Sequence, residues 1–224
     1  PGCEACAGFY NMTPLLWYSG LAAYGDGYCD EEARQQLLEG YERHREMMEY
    51  REASAGDDGG LSTIVPGYCM CAYPAAHFNF FLTCKSAFGY DLAADYPAMA
   101  LFPNWIYWTW IPRSAANLQS SVFAGGGDDV HVTNALPTGQ LYEHMTQYMF
   151  TYRDIDPAAT RLAATLRTLA PNKILHDPGR ATGSNPYVPF LPFQTNEPQP
   201  YDLADLQHPR EKARYFEALG QIIL

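Results

Sequence analysis

The residues of this chain best suited to chemistry are its cysteines, its aromatics and a few loop carboxylates. Cys3-x-x-Cys6 and Cys69-x-Cys71 together offer four thiolates, the number that a tetrahedral structural zinc takes. Buried free thiols are the favoured alternative, because free cysteine behaves as a small hydrophobe. A disulfide among them stays open, although a chain of 224 residues does not need staples. Seventeen Tyr, eleven Phe and four Trp can stack on the apolar faces of sugar rings or line a small-molecule pocket, and a helical core absorbs most of them. Gly125-Gly126-Gly127-Asp128-Asp129 is not a phosphate loop: it lacks a lysine, and its two carboxylates repel phosphate. His131 and His144 show no paired spacing that makes a metal site. Dinucleotide, Walker A, HExxH, GxSxG and EF-hand patterns are absent.

The composition restricts the partners. Lys and Arg number 14 against 25 Asp and Glu, a net charge of −11 that repels nucleic acid and anionic membranes. With 47% hydrophobic residues the chain can bury a core. No apolar run approaches the ~18 residues of a membrane span; the longest aromatic stretch, Trp105 to Ile111, ends at Pro112. No basic-then-apolar leader follows Pro1, and Gln221-Ile222-Ile223-Leu224 reads as a strand opening with nothing after it to pair with. A piece of a longer protein is the expectation.

The elements that must position these residues are helices. Leu15, Leu16, Trp17, Leu21, Ala22 and Ala23 give a helix over about 12–24, stopped by Gly25-Asp26-Gly27. Asp30 is an N-cap candidate for a helix to about Arg51, with Glu31 and Glu32 in its first turn. Leu37, Leu38, Tyr41, Arg45 and Met48 mark its expected inner face. A polar loop spans 54–60. A buried helix is expected from about Ala75 to Phe88, because apolar residues nearly surround it. Pro97 and Pro103 frame short helical pieces up to Pro112, and 120–134 read as a loop with brief strand character. Thr138 opens a helix to Arg153, and Asp156-Pro157 starts another that ends near Leu169. Antiparallel pairs follow from the short links. The expected organisation is helical through 1–170, a proline-rich arm over 171–208, and a last helix from Pro209 through Leu219 before the terminal strand.

A succession of segments resembles the helical domain of the heparinase II/III-like polysaccharide lyases. The first is Leu15-Leu16-Trp17-Tyr18-Ser19-Gly20-Leu21-Ala22-Ala23-Tyr24-Gly25-Asp26. Gly56-Asp57-Asp58-Gly59-Gly60 and Pro66-Gly67-Tyr68 follow, then Asn104-Trp105-Ile106-Tyr107-Trp108-Thr109-Trp110-Ile111-Pro112, then Gly127-Asp128-Asp129. The ending, Ala213 to Leu224, looks like that family's passage into a β-sandwich. The order of the segments, more than any one of them, carries the likeness. It implies a mainly α fold: an incomplete (α/α) toroid of antiparallel helix pairs, ending at the start of a missing β-sandwich domain.

The resemblance also implies an activity. The family cleaves uronate-containing polysaccharides by β-elimination, often in the periplasm or outside the cell. A neutral or cationic group offsets the carboxylate beside C5 and steadies the enolate-like intermediate. A Tyr or His takes the C5 proton, and a Tyr can return one to the leaving oxygen. Tyr107 stands where the family places its catalytic tyrosine. Tyr68 stands where family members often carry a Tyr-His or Asn-His pair; Cys69 follows here, and His77 is the substitute. Arg113 could hold a substrate carboxylate with its planar fork. Trp105, Trp108 and Trp110 could stack on sugars, although their spacing keeps all three from sharing one helical face, so at least one belongs to the core. Asp128 and Asp129 could bind sugar hydroxyls, and Asn11 lies where the family's early helix reaches the groove. The expected partner is an acidic polysaccharide or oligosaccharide. No cofactor is required by this chemistry, and zinc at Cys3, Cys6, Cys69 and Cys71 would be structural.

Two other readings share the scaffold. Helical toroids also host glycoside hydrolases, which need two carboxylates about 5–10 Å apart. Asp57, Asp58, Asp128 and Asp129 are the candidates. Cys69 in place of a histidine, and the net charge of −11, fit a glycan-binding toroid that has lost its chemistry.

Overall fold

The computed structural model describes residues 13–60, 72–110, 120–124, 133–169, 196–202 and 213–223. These are mostly helical. Helix α1 is Thr13–Ala23 and α2 is Asp30–Ala55. The turn between them is short, so the two run antiparallel. Asp30 does not cap α2. Its Oδ1 accepts from the backbone N–H of Gly25 at 3.0 Å and of Gly27 at 3.1 Å, folding the turn back onto the helix start. Asp30, Glu31 and Glu32 still load the first turn with negative charge, where the helix dipole favours it.

The inner face of α2 keeps Leu37 and Met48 of the expected set, with Tyr41 partly buried beside them, but not Leu38 or Arg45. Its buried residues are Ala33, Leu37, Gly40, His44, Met47, Met48, Arg51 and Ala55, a run of alternating three- and four-residue steps. Leu38 is 54% exposed, and Arg45 lies outside in ion pairs with Glu42 and Glu49. Two polar residues on the true stripe, His44 and Arg51, hide it from an apolar pattern. At Gly40 the helices touch backbone to backbone: a Cβ there would lie 2.7 Å from the Trp17 amide nitrogen. That approach lets the Trp17 ring meet Phe80 edge-on at 5.0 Å, while its indole N–H donates to Thr83 Oγ1 at 2.8 Å.

Helix α3, Ala72–Phe88, buries His77, Phe78, Phe80, Phe81 and Cys84 and exposes its last turn. Two 3₁₀ turns follow, Leu92–Asp95 and Pro97–Leu101. Glu52 of α2 holds the second by accepting from Ala98 N–H at 2.8 Å and Met99 N–H at 3.1 Å. Helix α4 is Phe102–Thr109, with Pro103 in its first turn. Strands β1, Ser120–Ala124, and β2, Thr133–Pro137, pair antiparallel with Ser120 opposite Pro137. Helix α5, Thr138–Thr151, and α6, Pro157–Arg167, form a second antiparallel pair. As expected, Asp156 caps α6, accepting from Ala159 N–H at 2.8 Å. Within the proline-rich arm, 196–202 run against α6: the Arg161 guanidinium lies 4.0 Å over the Tyr201 ring, and Tyr201 N–H donates to Thr165 Oγ1.

The last helix expected from Pro209 is not present over 213–219. Strand β3, Arg214–Phe216, and β4, Gln221–Ile223, form an antiparallel hairpin around a 3₁₀ turn at Glu217–Leu219. The reason is tertiary. Phe216 enters the core, Arg214 pairs with Asp58, and Gln221 Oε1 accepts from Trp105 Nε1 at 2.8 Å. These contacts are available to a hairpin laid across the loop after α2. That loop also packs against α4's start: Gly59 has φ +86°, and a Cβ on it would lie 1.9 Å from the Leu101 carbonyl oxygen. Among the described residues no helix is long and apolar enough to cross a membrane.

Candidate functional site

Helix α4 divides its aromatics between fully buried and half-buried positions. Trp105 is fully buried, stacked on Phe102 with centroids 5.7 Å apart, and its one N–H is spent on Gln221. It therefore offers no ring face to a sugar, which corrects its expected place in a stacking wall. Trp108, three residues further along α4, is half-buried, edge-on to Tyr107 at 6.2 Å. Tyr107 is half-buried too, and burial pushes its phenol above the ordinary tyrosine value. Its proton is thus held at neutral pH. Such a phenol is better suited to giving a proton to a leaving oxygen than to taking one from carbon.

His77 lies deep between helices, with Phe78 and Tyr148 around it and Arg51 beside it. Arg51 Nη1 is 2.9 Å from His77 Nδ1. This pair belongs to a larger buried polar group that composition and motifs did not single out. His44 stacks on Phe80 at 4.2 Å, and its Nδ1–H donates to the Gly40 carbonyl at 2.7 Å. Burial, with a smaller push from the Arg51 charge, holds His44 down to about 4 and His144 down to about 3. Among the described residues His144 Nε2 and the Tyr152 hydroxyl make no hydrogen bond. The Tyr152 phenol is held protonated by burial, with the neighbouring Tyr148 acting in the same direction. The signal for this group was present on α2. His44 and Arg51 continue the Ala33, Leu37, Gly40 rhythm, and a polar residue in phase with a buried stripe is the feature to look for.

Asn11, Tyr68, Arg113, Asp128, Asp129 and the cysteines at 3, 6, 69 and 71 lie outside the described residues. Of the two described cysteines, Cys84 is buried and Cys29 half-buried, both as free thiols. Asp58 is tied to Arg214, so its carboxylate is already engaged across the loop–hairpin contact. Asp57 lines an open acidic hollow of about 590 Å³ with Glu49, Glu52 and Asp95, a wall that repels uronates. A second, apolar hollow of about 400 Å³ lies among Trp17, Leu37, Tyr41, Cys84 and Phe88. Neither hollow is lined by a residue of α4. On α5, Glu143 is half-buried and pushed up to about 7 by burial.

No family model, curated protein or solved structure matches this chain. The site therefore rests on its own geometry.

Proposed function

We propose that this chain is the helical, toroid-type part of a polysaccharide lyase that cleaves uronate-containing polysaccharide by β-elimination, in the periplasm or outside the cell. The observation that carries the reading is Tyr107. It is half-buried beside Trp108 on a short aromatic helix, with its phenol held in the protonated form by burial. The ordered likeness to the heparinase II/III-like segments supports the same residue. In this scheme Tyr107 donates to the leaving glycosidic oxygen, and Trp108 supplies an apolar edge for the sugar ring. Tyr68 and Arg113 are the further candidates for proton transfer and carboxylate recognition. Asp128 and Asp129 would meet sugar hydroxyls.

The test is turnover. The protein is incubated with alginate, heparan sulfate, hyaluronan and pectic substrates, and the ultraviolet absorbance of the unsaturated uronate is followed. Expected is absorbance growth on at least one substrate and a loss of about 10²–10⁴-fold in Tyr107→Phe, the range for removing one acid–base group. Reducing ends released without the chromophore would replace this reading with hydrolysis. Glycan binding without any turnover would replace it with a binding module.

A further inference from the structure

Five aromatic rings line the apolar hollow among α1, α2 and α3: Trp17, Tyr24, Tyr41, Phe88 and Tyr90. At about 400 Å³ it falls within the ~300–1,000 Å³ of small-molecule sites. Trp17 is its buried wall, with the indole N–H already given to Thr83. The Trp17 ring is tilted against Tyr41 at 6.4 Å and against Phe88 at 6.0 Å between centroids. Tyr24, Leu38, Phe88 and Tyr90 are exposed and form the lip. Large apolar side chains left open to water around a concave surface mark a binding groove. Burial raises the Tyr41 phenol and the Cys84 thiol above their ordinary values, so both walls stay uncharged at neutral pH.

Charge narrows the choice of occupant. Arg34, which lines the hollow, is held by both oxygens of Glu31. Lys85, beside Cys84 in the chain, is matched by Asp91, and Arg45 by Glu42 and Glu49. Asp95 has no cation matched to it among the described residues. Its Oδ2 accepts from the Tyr90 hydroxyl at 2.7 Å, a neutral donor. Asp95 also lines the acidic hollow with Glu49, Glu52 and Asp57. The Tyr90 side chain therefore joins the apolar space, which its ring lines, to the acidic one, which its hydroxyl touches. A phenol that donates its proton to a carboxylate has a π face richer in negative charge, and that face is the one a cation seeks. An anion meets no unmatched cation here. A sugar meets few convergent hydrogen-bonding groups.

We propose that this hollow binds a small organic cation whose charged nitrogen is carried on an apolar body, a quaternary or alkylated ammonium, with the body against Trp17, Tyr41 and Phe88 and the charge over Tyr90 toward Asp95. The apolar walls take the body, and the aromatic faces with the unmatched carboxylate take the charge. The proposal does not depend on the lyase reading.

The test is a ligand titration by calorimetry with three probes of one shape. They are para-(hydroxymethyl)phenyltrimethylammonium, its neutral carbon isostere para-tert-butylbenzyl alcohol, and the anion para-(hydroxymethyl)benzoate. About 0.15 M salt screens the diffuse attraction of the chain's net charge of −11. Expected is a Kd of about 1 mM or tighter for the ammonium, weaker binding of the alcohol by about threefold or more, and none of the benzoate. Tyr90→Leu and Asp95→Asn should each weaken the ammonium about two- to fivefold. Asp154→Asn, the same change of net charge at the turn between α5 and α6, should leave it unchanged. Equal or tighter binding of the alcohol overturns the proposal, since the hollow is then simply apolar. So does the absence of ammonium binding, or a loss in Asp154→Asn equal to that in Asp95→Asn. Positions 90 and 95 are exposed, and should either variant not fold, the ammonium–alcohol comparison in the unmutated protein decides.

Discussion

Acidification should destabilise this protein well before its surface carboxylates are protonated, because two core histidines must take up protons to which the fold gives no access. His44 is held down to about 4 and His144 to about 3, chiefly by burial. In the unfolded chain both return to about 6.5. The folded values lie below the unfolded ones, so the unfolded chain binds protons first. The stability is fully present above about pH 6.5 and is lost as pH falls toward 4 for His44 and toward 3 for His144. Each pH unit below 6.5 removes about 1.4 kcal/mol per histidine. At pH 5 the loss is about 2 kcal/mol from each and about 4 kcal/mol from the pair, a large share of the 5–15 kcal/mol that holds a typical domain. Glu143 acts in the opposite sense. Its carboxyl is raised to about 7, so the folded chain takes up that proton first and gains on acidification, by an amount that solvent screening reduces. The clean measurement is therefore made in Glu143→Gln. Urea unfolding midpoints between about pH 7.5 and 5 should fall by roughly 1.5–2 M, from a slope of about 2–3 kcal/mol per M. Adding His144→Phe should halve that fall. A midpoint that stays constant with pH, or a fall of the same size with His144 replaced, refutes the reasoning.

Other perturbations probe the scaffold. Gly59→Ala places a methyl on the Leu101 carbonyl at a left-handed φ and should cost about 3 kcal/mol, read as a Tm drop of about 10 °C. Asp156→Ala removes the cap of α6 and should cost about 1 kcal/mol in chemical denaturation, with Asp156→Asn largely restoring it. Leu38→Lys should stay within about 0.5 kcal/mol of the parent because that side chain faces solvent, whereas Gly40→Ala, which drives a methyl into the Trp17 backbone, should cost several-fold more. Equal costs at 38 and 40 would mean that α2 is rotated from the face described.

How much of the site was legible beforehand differs residue by residue. The aromatic character of α4 was legible, and helical spacing required only that Trp105, Trp108 and Trp110 not all share one face. That Trp105 is the inward one depended on Gln221, far along the chain. Arg51 carried no motif. It became visible only when α3 brought His77 to within 2.9 Å of it.

The local signals act over three or four residues, and those the chain stated in full: α1 before Gly25, α6 after Asp156-Pro157, short helical pieces at Pro97 and Pro103, and a mostly helical chain of strongly negative charge. The choice of inner face on α2 and of strand over helix at 214–216 was beyond them. Those choices are made by partners remote in sequence: Phe80 for His44, His77 for Arg51, Asp58 for Arg214. A buried polar side chain is stable only where its partner completes it, and only the folded arrangement supplies that partner.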